Sequence, residues 1–166
     1  MHDGALIVAM NQQQLIGVNG DLPWHLPDDL KWFKQQTLDQ IILMGANTFA
    51  SLGHKPLPHR KNWVLSRTPR PDTDKVRWFH DWSDMFQAAQ RTGSWVVIGG
   101  AALYALALPH VERAYINWVD APNLQGDTYF PKFDITAWRC VNQVDHPRDD
   151  RHAYAFQCCT YLRKTG

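Results

Sequence analysis

The sequence predicts an α/β fold built on a mixed sheet, and two observations support this prediction. Short apolar runs alternate with helical segments through most of the chain, a pattern typical of parallel strands joined by crossover helices. The last two predicted strands are joined by a polar segment, which indicates an antiparallel hairpin. The dinucleotide fingerprint Gly-x-Gly-x-x-Gly is absent, so a standard Rossmann site is not expected.

Each predicted element is an apolar or amphipathic run bounded by polar, glycine or proline residues. Strands are expected, in chain order, at 5–10, 40–45, 61–66, 76–79, 95–100, 111–119, 138–144 and 153–162. One helix is expected to begin at Pro27, and the others are expected at 46–52, 82–91 and 101–108. Residues 15–23 and 120–131 are predicted to be loops, and the first is long enough to suggest a function.

The composition is that of a soluble globular protein and excludes several functions. The chain of 166 residues predicts one domain, and its net charge of +1 gives no electrostatic case for nucleic acid or an anionic membrane. No apolar run is long enough to span a bilayer, and the N-terminus lacks the features of a signal peptide. The three cysteines, Cys140, Cys158 and Cys159, indicate reduced thiols in a cytoplasmic protein, and no metal site is expected.

The stretch after Leu22 carries the strongest chemical signal. Pro27 suits the first turn of a helix, whose apolar face would be formed by Leu26, Leu30, Phe33 and Thr37. At about 100° per residue, Asp29 lies about 40° from Phe33, on the rim of that face, whereas Asp28 points roughly opposite. The positive end of the helix dipole is a sufficient explanation for Asp28. An acid on an apolar face must be desolvated, so Asp29 is predicted to bind a ligand or to move protons.

The segment Trp24-His25-Leu26-Pro27-Asp28-Asp29-Leu30 resembles the Trp-x-Leu-Pro-x-Asp-Leu segment of dihydrofolate reductases. Further motifs at the family's spacing carry the resemblance through nearly the whole chain: Ile16-Gly17, Met44-Gly45, Pro56-Leu57-Pro58-His59-Arg60, Ile98-Gly99-Gly100 and Gly126-Asp127-Thr128-Tyr129-Phe130-Pro131. The resemblance is to the bacterial chromosomal type. It implies a mixed, mostly parallel sheet of eight strands with the final strand antiparallel and helices on both faces. It also implies one domain over 1–166 with an adenosine-binding subdomain at roughly 40–92.

The resemblance also implies site residues, with NADPH as cofactor and dihydrofolate or antifolate inhibitors as ligands. The catalytic positions would be Asp29, Trp24 and Leu22, with Leu22 the inward apolar residue of a mobile loop. Substrate would contact Ile7, Val8, Asp29, Phe33, Leu52, Leu57, Arg60, Ile98 and Asn117. NADPH would contact Ala9, Ile16, Gly17, Gly45, Ala46, Asn47, Thr48, Leu65, Ser66, Arg67, Ile98, Gly99, Gly100, Ala101, Ala102, Leu103, Tyr104 and Thr128. No metal, nucleic acid or membrane would take part, and a monomer is expected.

Ordinary structural explanations compete with several of these assignments. Without the family, Arg60 and Arg67 would be exposed charges, Leu52 and Leu57 plain core residues, and Tyr104 a helix-core tyrosine. The two glycines Gly99 and Gly100 would be a sharp turn, whereas the family joins them by a cis peptide bond against the cofactor. Asp127 would cap a turn, whereas in the family it accepts hydrogen bonds from the backbone of the mobile loop.

The sequence departs from the family pattern at three positions. Ala46 stands where a basic residue is usual, and Arg67 would replace the lost charge on the 2′-phosphate of NADPH. Ala101 stands where a third glycine is frequent. Asn117 stands where the family nearly always has a threonine that bridges the active-site acid and the pterin. Because asparagine also has donor and acceptor atoms, the network could persist in altered form.

The implied reaction reduces the N5=C6 imine of 7,8-dihydrofolate, with hydride from NADPH added to C6 and a proton to N5. Asp29 would pair with the 2-amino group and N3 of the pterin. It would either pass the proton directly or polarise the ring and an incoming water, and its distance from N5 favours the water route. Three alternatives remain: a related reductase of riboflavin synthesis, a non-catalytic pterin- or nucleotide-binding module of the same fold, and a nucleic-acid-binding protein, which the charge disfavours.

Overall fold

A computed structural model of the protein describes residues 3–68 and 70–165. In chain order its elements are β1 (Gly4–Met10), β2 (Leu15–Gly17), α1 (Pro27–Thr37), β3 (Ile41–Gly45), α2 (Ala46–Ser51), β4 (Lys61–Leu65), β5 (Val76–Phe79), α3 (Trp82–Thr92), β6 (Trp95–Gly99), α4 (Ala101–Ala107), β7 (Arg113–Val119), β8 (Thr128–Tyr129), β9 (Trp138–His146) and β10 (Phe156–Arg163). None of the helices within these described ranges has the length and apolar character needed to cross a membrane.

Eight of the strands form one sheet in the order β5-β4-β3-β6-β1-β7-β10-β9. The pairs from β5 through to β7 are parallel, whereas β10 is antiparallel to both β7 and β9. The final strand is therefore the reversed one, and the predicted mixed, mostly parallel sheet is confirmed. Each predicted strand overlaps an observed strand.

Helices cover both faces of the sheet, and the alternation of side chains along the strands explains this. Leu6, Val8 and Met10 of β1 join a cluster with buried residues of α3 and α4. Ala5 and Ile7, one position out of phase, join a cluster against which α1 packs. Because successive side chains of a strand point to opposite faces, one apolar run supplies both layers.

The prediction of plain loops at 15–23 and 120–131 is wrong in part, since each segment contributes one strand of a second, two-stranded sheet. Leu15 pairs with Tyr129 and Gly17 with Thr128, in antiparallel orientation. Strands of three and two residues are too short to show an alternating pattern, and these form only because distant segments meet.

Gly126 allows this pairing, and replacing it with alanine should destabilise the fold. A Cβ atom there would lie 2.5 Å from the Gly17 carbonyl oxygen and 2.7 Å from Leu15 Cδ1. Forcing the backbones apart should cost about 1–3 kcal/mol, measurable as a lower midpoint in urea. Gly93→Ala is the control, because its backbone is extended and its nearest contact, Ile41 Cδ1, is 3.7 Å away. An equal loss in both variants would contradict this explanation.

Candidate active site

A buried carboxylate lies at the start of α1. Pro27 occupies the first turn after Leu26, whose backbone is extended, and Asp29 follows in the same turn with only 7% of its surface exposed. Asn117 of β7 donates from Nδ2 to Asp29 Oδ1 at 2.5 Å. Asn117 is opposite Ala9 of β1, so the acid sits over two central strands of the sheet. The predicted desolvation of Asp29 is confirmed.

Two effects act on the ionisation of Asp29. Burial raises the pKa of Asp29 above its ordinary value, and the hydrogen bond from Asn117 opposes this by stabilising the charged form. The carboxylate in turn affects its neighbours. Burial first and the charge of Asp29 second raise the pKa of the Cys158 thiol to about 12, and the same two causes raise the pKa of Tyr104. Both shifts disfavour a second negative charge on Cys158 or Tyr104 beside Asp29.

Polar atoms around Asp29 are left for a ligand to satisfy. Trp24 Nε1 and Asn117 Oδ1 are both buried and have no hydrogen-bond partner among the described residues. Trp24 packs in a cluster that includes Leu26 and Cys158, which fixes its ring beside the start of α1. A buried donor and a buried acceptor of this kind cost free energy unless they are paired, so they indicate a polar ligand or a held water.

The apolar side chains predicted to line the substrate pocket are partly buried, except Ile7 and Val8, which are buried. Phe33 packs beside Ile7 and Ile98 on one core cluster, and Leu52, Leu57 and Ile98 pack on the neighbouring cluster built around Phe49. Ile98 thus joins the two clusters, and Val8 lies on the opposite core face of β1. Leu30 departs from the predicted apolar face of α1, since it is 44% exposed.

Arg60 is fixed by hydrogen bonds and keeps an uncompensated charge. Its Nε donates to the Pro58 carbonyl oxygen at 2.9 Å, and its Nη1 donates to Thr37 Oγ1 at the end of α1, also at 2.9 Å. Within the described ranges no carboxylate forms an ion pair with it, and burial lowers its pKa. A half-buried, oriented guanidinium is suited to a ligand carboxylate.

Glycines at the ends of β3 and β6 leave backbone open to a ligand. A Cβ atom on Gly45 would meet nothing nearer than 3.9 Å, whereas one on Gly99 would lie 3.2 Å from Thr48 Oγ1. The Gly99–Gly100 peptide bond is cis, as the family resemblance implied. The ends of β3 and β6 therefore carry no side chain at Gly45, Gly99 or Gly100, which leaves the Thr48 hydroxyl uncovered by them. Ala46, Asn47 and Ala102, which follow these strand ends, are exposed.

The side chains of Tyr104 and Leu103 point into the core and not toward the backbone that Gly99 and Gly100 leave open to a ligand. The Tyr104 hydroxyl donates to the Ile7 carbonyl oxygen at 2.7 Å, and Leu103 is buried in the main core cluster. Tyr104 is still close to the glycines, because a Cβ atom on Gly99 would lie 3.6 Å from its hydroxyl. Its helix-core role is therefore observed, and its role beside a nicotinamide stays a prediction.

The end of β4 presents polar groups in a row. Ser66 is buried, its backbone N–H donates to the Phe79 carbonyl oxygen, and its carbonyl oxygen accepts from His80 Nδ1 at 3.2 Å. Arg67 is exposed, and Leu65 is half-buried against the main core. Ser66, Arg67 and His80 thus meet at the carboxyl edge of β4 and β5, where the phosphate of a bound nucleotide is expected.

The loop before Trp24 is tied to the segment around Asp127. The Asn19 N–H donates to Asp127 Oδ2 at 2.9 Å, and Thr128 Oγ1 donates to Asp127 Oδ1 at 2.9 Å. Both hydrogen bonds lower the pKa of Asp127. The predicted contact between Asp127 and this loop is confirmed. Leu22 is 47% exposed, so the expected inward packing of its side chain is not observed.

A model of the dihydrofolate reductase family matches residues 5–163. The chain belongs to the dihydrofolate reductase family. It is 38% identical over 160 residues to dihydrofolate reductase type 3 of Salmonella typhimurium, an alignment covering 96% of this chain and 98% of the relative. It is 35% identical over 162 residues to dihydrofolate reductase of Bacillus subtilis (strain 168), covering 98% and 95% of the two chains.

The fold agrees with a solved dihydrofolate reductase. The structure of dihydrofolate reductase from Enterococcus faecalis complexed with NADP(H) and RAB-propyl superposes with a TM-score of 0.90 at 33% identity. The match covers 98% of this chain and 97% of that chain. The eight-stranded dihydrofolate reductase-like sheet is therefore confirmed at the level of topology.

Three site features of this dihydrofolate reductase were not found from the sequence. Cys158 lies opposite Asn117 in β10, close enough to Asp29 for its charge to raise the pKa of the thiol. His80 meets Ser66 across two neighbouring strands. Asp28 pairs with His146 rather than standing alone at the helix terminus, with 2.7 Å between Asp28 Oδ2 and His146 Nε2. All three depend on strand pairing or on loop contacts that no local pattern records.

Proposed function

We propose that the protein reduces 7,8-dihydrofolate to 5,6,7,8-tetrahydrofolate with NADPH. The observation that carries this proposal is Asp29, a buried carboxylate held by Asn117 beside half-buried apolar side chains. A flat, largely apolar ligand with a polar edge fits that combination, as the pterin ring of dihydrofolate does. Family membership supplies the reaction.

The substrate would be held at its two ends. Asp29 accepts from the 2-amino group and N3 of the pterin, and Phe33, Ile98, Leu52 and Leu57 contact the rings. Arg60 binds the α-carboxylate of the glutamyl tail, because its planar fork is already oriented by Thr37. Antifolate inhibitors would compete for the same acid and apolar side chains.

The cofactor assignment rests on the open backbone at two strand ends. NADPH, when bound, supplies the hydride that is added to C6. Gly45, Gly99 and Gly100 would let the cofactor approach the backbone, Thr48 would donate to its pyrophosphate, and Ala101 and Ala102 would stay short enough to admit it. Residues 40–92 would form the adenosine-binding subdomain, which carries β3, β4, β5, α2 and α3.

Proton delivery to N5 is assigned to water rather than to Asp29 directly. Asp29 binds the far edge of the pterin and polarises the ring, while the Trp24 N–H, buried without a partner among the described residues, holds the incoming water. Leu22, Ile16 and Gly17 belong to the loop that would cover the reacting rings and exclude bulk water. The Asn19 contact with Asp127 would favour the closed position of that loop.

Ligand-induced thermal shifts test the enzyme against a non-catalytic pterin-binding module. The proposed enzyme should be stabilised by NADPH alone and by folate alone, because binding to the native state raises the unfolding midpoint. A shift with folate and none with NADPH would favour the binding module. Absence of both shifts would contradict the proposed function.

Arg67 is proposed to select NADPH over NADH by pairing with the 2′-phosphate. Replacing it with alanine should lower the preference for NADPH, measured as the ratio of kcat/KM values, by about tenfold, as expected for loss of a charged hydrogen bond. Arg91→Ala, an exposed arginine on α3, is the control. An unchanged ratio in Arg67→Ala would remove Arg67 from cofactor selection.

We also propose that the enzyme works as a monomer in the cytoplasm. One chain supplies every residue assigned here, from Asp29 on α1 to Asn117 on β7. The free thiols Cys140, Cys158 and Cys159 suit a reducing compartment. Light scattering should therefore give a mass near 19.2 kDa, and a stable dimer would contradict the proposal.

A further inference from the structure

A second cluster of metal-ligating side chains lies behind the active-site helix. Asp28 of α1, His146 at the end of β9 and His152 in the following loop each bring one ligand atom within 4.8 Å of the others. His152 is only 1% exposed, which is unusual for a histidine in a polar loop. His146 stacks on Phe156 with 4.6 Å between ring centroids, which fixes its plane.

Hydrogen bonds at Nδ1 of His146 and His152 turn the Nε2 atom of each ring toward Asp28. His152 Nδ1 lies 2.8 Å from Asp149 Oδ1, and His146 Nδ1 lies 2.8 Å from the Pro147 carbonyl oxygen. Because both partners can only accept, each Nδ1 carries the hydrogen. Each Nε2 is therefore the ring nitrogen that faces Asp28 and can bind a cation. Carboxylate or carbonyl partners behind the ligating histidine are the usual arrangement of protein metal sites.

The contact between His146 Nε2 and Asp28 Oδ2 needs a positive charge between the two atoms. His146 Nε2 lies 2.7 Å from Asp28 Oδ2, and a carboxylate has no hydrogen to donate. Only a proton or a metal ion makes that contact favourable. His152 Nε2 lies 3.8 Å from the same oxygen and accepts from the Asp28 N–H at 3.0 Å. The two spacings to Asp28 Oδ2, 2.7 and 3.8 Å, lie on either side of the roughly 3.4 Å between two donors of a tetrahedral zinc ion, and all three ligand atoms lie within 4.8 Å of one another.

We propose that Asp28, His146 and His152 form a binding site for a divalent transition-metal ion of the zinc class, with Asp149 orienting His152. Two imidazoles and one carboxylate suit Zn²⁺, Co²⁺ or Ni²⁺ better than Ca²⁺ or Mg²⁺, which prefer oxygen ligands. Binding exchanges the Asp28 N–H···His152 hydrogen bond for a metal–nitrogen bond. The ion would tie the loop after β9 to the first turn of α1, one residue from Asp29. The sequence pattern missed this site because Asp28 lies more than a hundred residues from both histidines.

Calorimetric titration of the full chain with Zn²⁺ alone, after chelator treatment and desalting, tests the proposal. One Zn²⁺ per chain is expected. His146→Gln and Asp28→Asn should each weaken binding by at least tenfold, and Asp149→Asn by about tenfold through loss of the orienting carboxylate. His59→Asn is the matched control, since His59 is exposed and asparagine tolerates its positive φ of 62°.

The visible absorption of bound Co²⁺ gives a second readout that a purely structural role would not move. It should report nitrogen and oxygen ligands in the parent and be lost in His146→Gln. His146→Gln keeps the test valid if Asp28→Asn fails to fold, because His146 lies outside the core. No bound Zn²⁺ in the parent would overturn the site. So would binding that His146→Gln leaves unchanged, or that His59→Asn weakens equally.

Discussion

Replacing Asp29 with asparagine is expected to slow hydride transfer to dihydrofolate by at least about a hundredfold near neutral pH. The buried carboxylate is the proposed anchor for the polar edge of the pterin, and an amide presents a donor where the 2-amino group needs an acceptor. Stopped-flow measurement of a single turnover, with NADPH and dihydrofolate both saturating, gives the rate without interference from product release.

Asp39→Asn is the matched control for that substitution. It makes the same chemical change at an exposed residue, and asparagine suits the positive φ of 61° at that position. The control should turn over like the parent. Retention of most of the rate by Asp29→Asn would refute the assignment of Asp29 as the pterin anchor.

The thermal stability of Asp29→Asn should show whether a lower rate of hydride transfer comes from the missing carboxylate or from unfolding of the variant. Burial raises the pKa of Asp29 in the folded state above its unfolded value. The parent is therefore most stable while this acid is protonated, and loses that stability as pH rises through the folded pKa. Asparagine carries no charge to desolvate, so the ligand-free variant should melt above the parent at pH 8, with chelator present in both. A lower midpoint would contradict the desolvation of Asp29.

Replacing Arg60 with leucine is expected to raise KM for dihydrofolate by tenfold to about a hundredfold, the range expected for a charged hydrogen-bonded pair of about 1.5–3 kcal/mol. In this proposal the tail carboxylate would be remote from the reacting atoms and held equally in the ground and transition states. The value of kcat should therefore change little at saturating substrate. Steady-state kinetics over a wide dihydrofolate range measures both constants.

Arg60→Lys refines this test because lysine keeps the charge and loses the planar fork. It should recover part of the lost affinity but not all of it. Arg91→Leu controls for removal of an exposed arginine elsewhere. A fall in kcat at unchanged KM would contradict tail binding, and would point to a role of the Arg60–Thr37 hydrogen bond in positioning α1.

The central strands of the sheet could be predicted because they are continuous apolar runs. The run 5–10 predicts β1 at Gly4–Met10, and burial on both faces is what such a run requires. The strands β2 and β8 could not be predicted, because three and two residues carry no pattern and their pairing depends on distant backbone. Leu30 was assigned to an apolar face by periodicity, which does not distinguish a side chain that packs in the core from one that is left exposed.

The acid of the site, Asp29, was predicted from its position on the helix. Its hydrogen-bond partner Asn117 was predicted only through the family resemblance. Cys158 could not be found, since it reaches Asn117 through pairing of β7 with β10. The role of Asp28 was missed for a similar reason. A charge in the first helical turn has a sufficient local explanation in the dipole, and its contact with His146 spans 118 residues.

The consumption of NADPH by the purified protein on addition of dihydrofolate tests the central claim most directly. Loss of the reduced-nicotinamide absorbance should match dihydrofolate added, with one NADPH oxidised for each tetrahydrofolate formed, and should be strongly slowed in Asp29→Asn. Stable absorbance in the presence of both ligands, in a protein that binds each of them, would contradict the claim and establish a binding module instead.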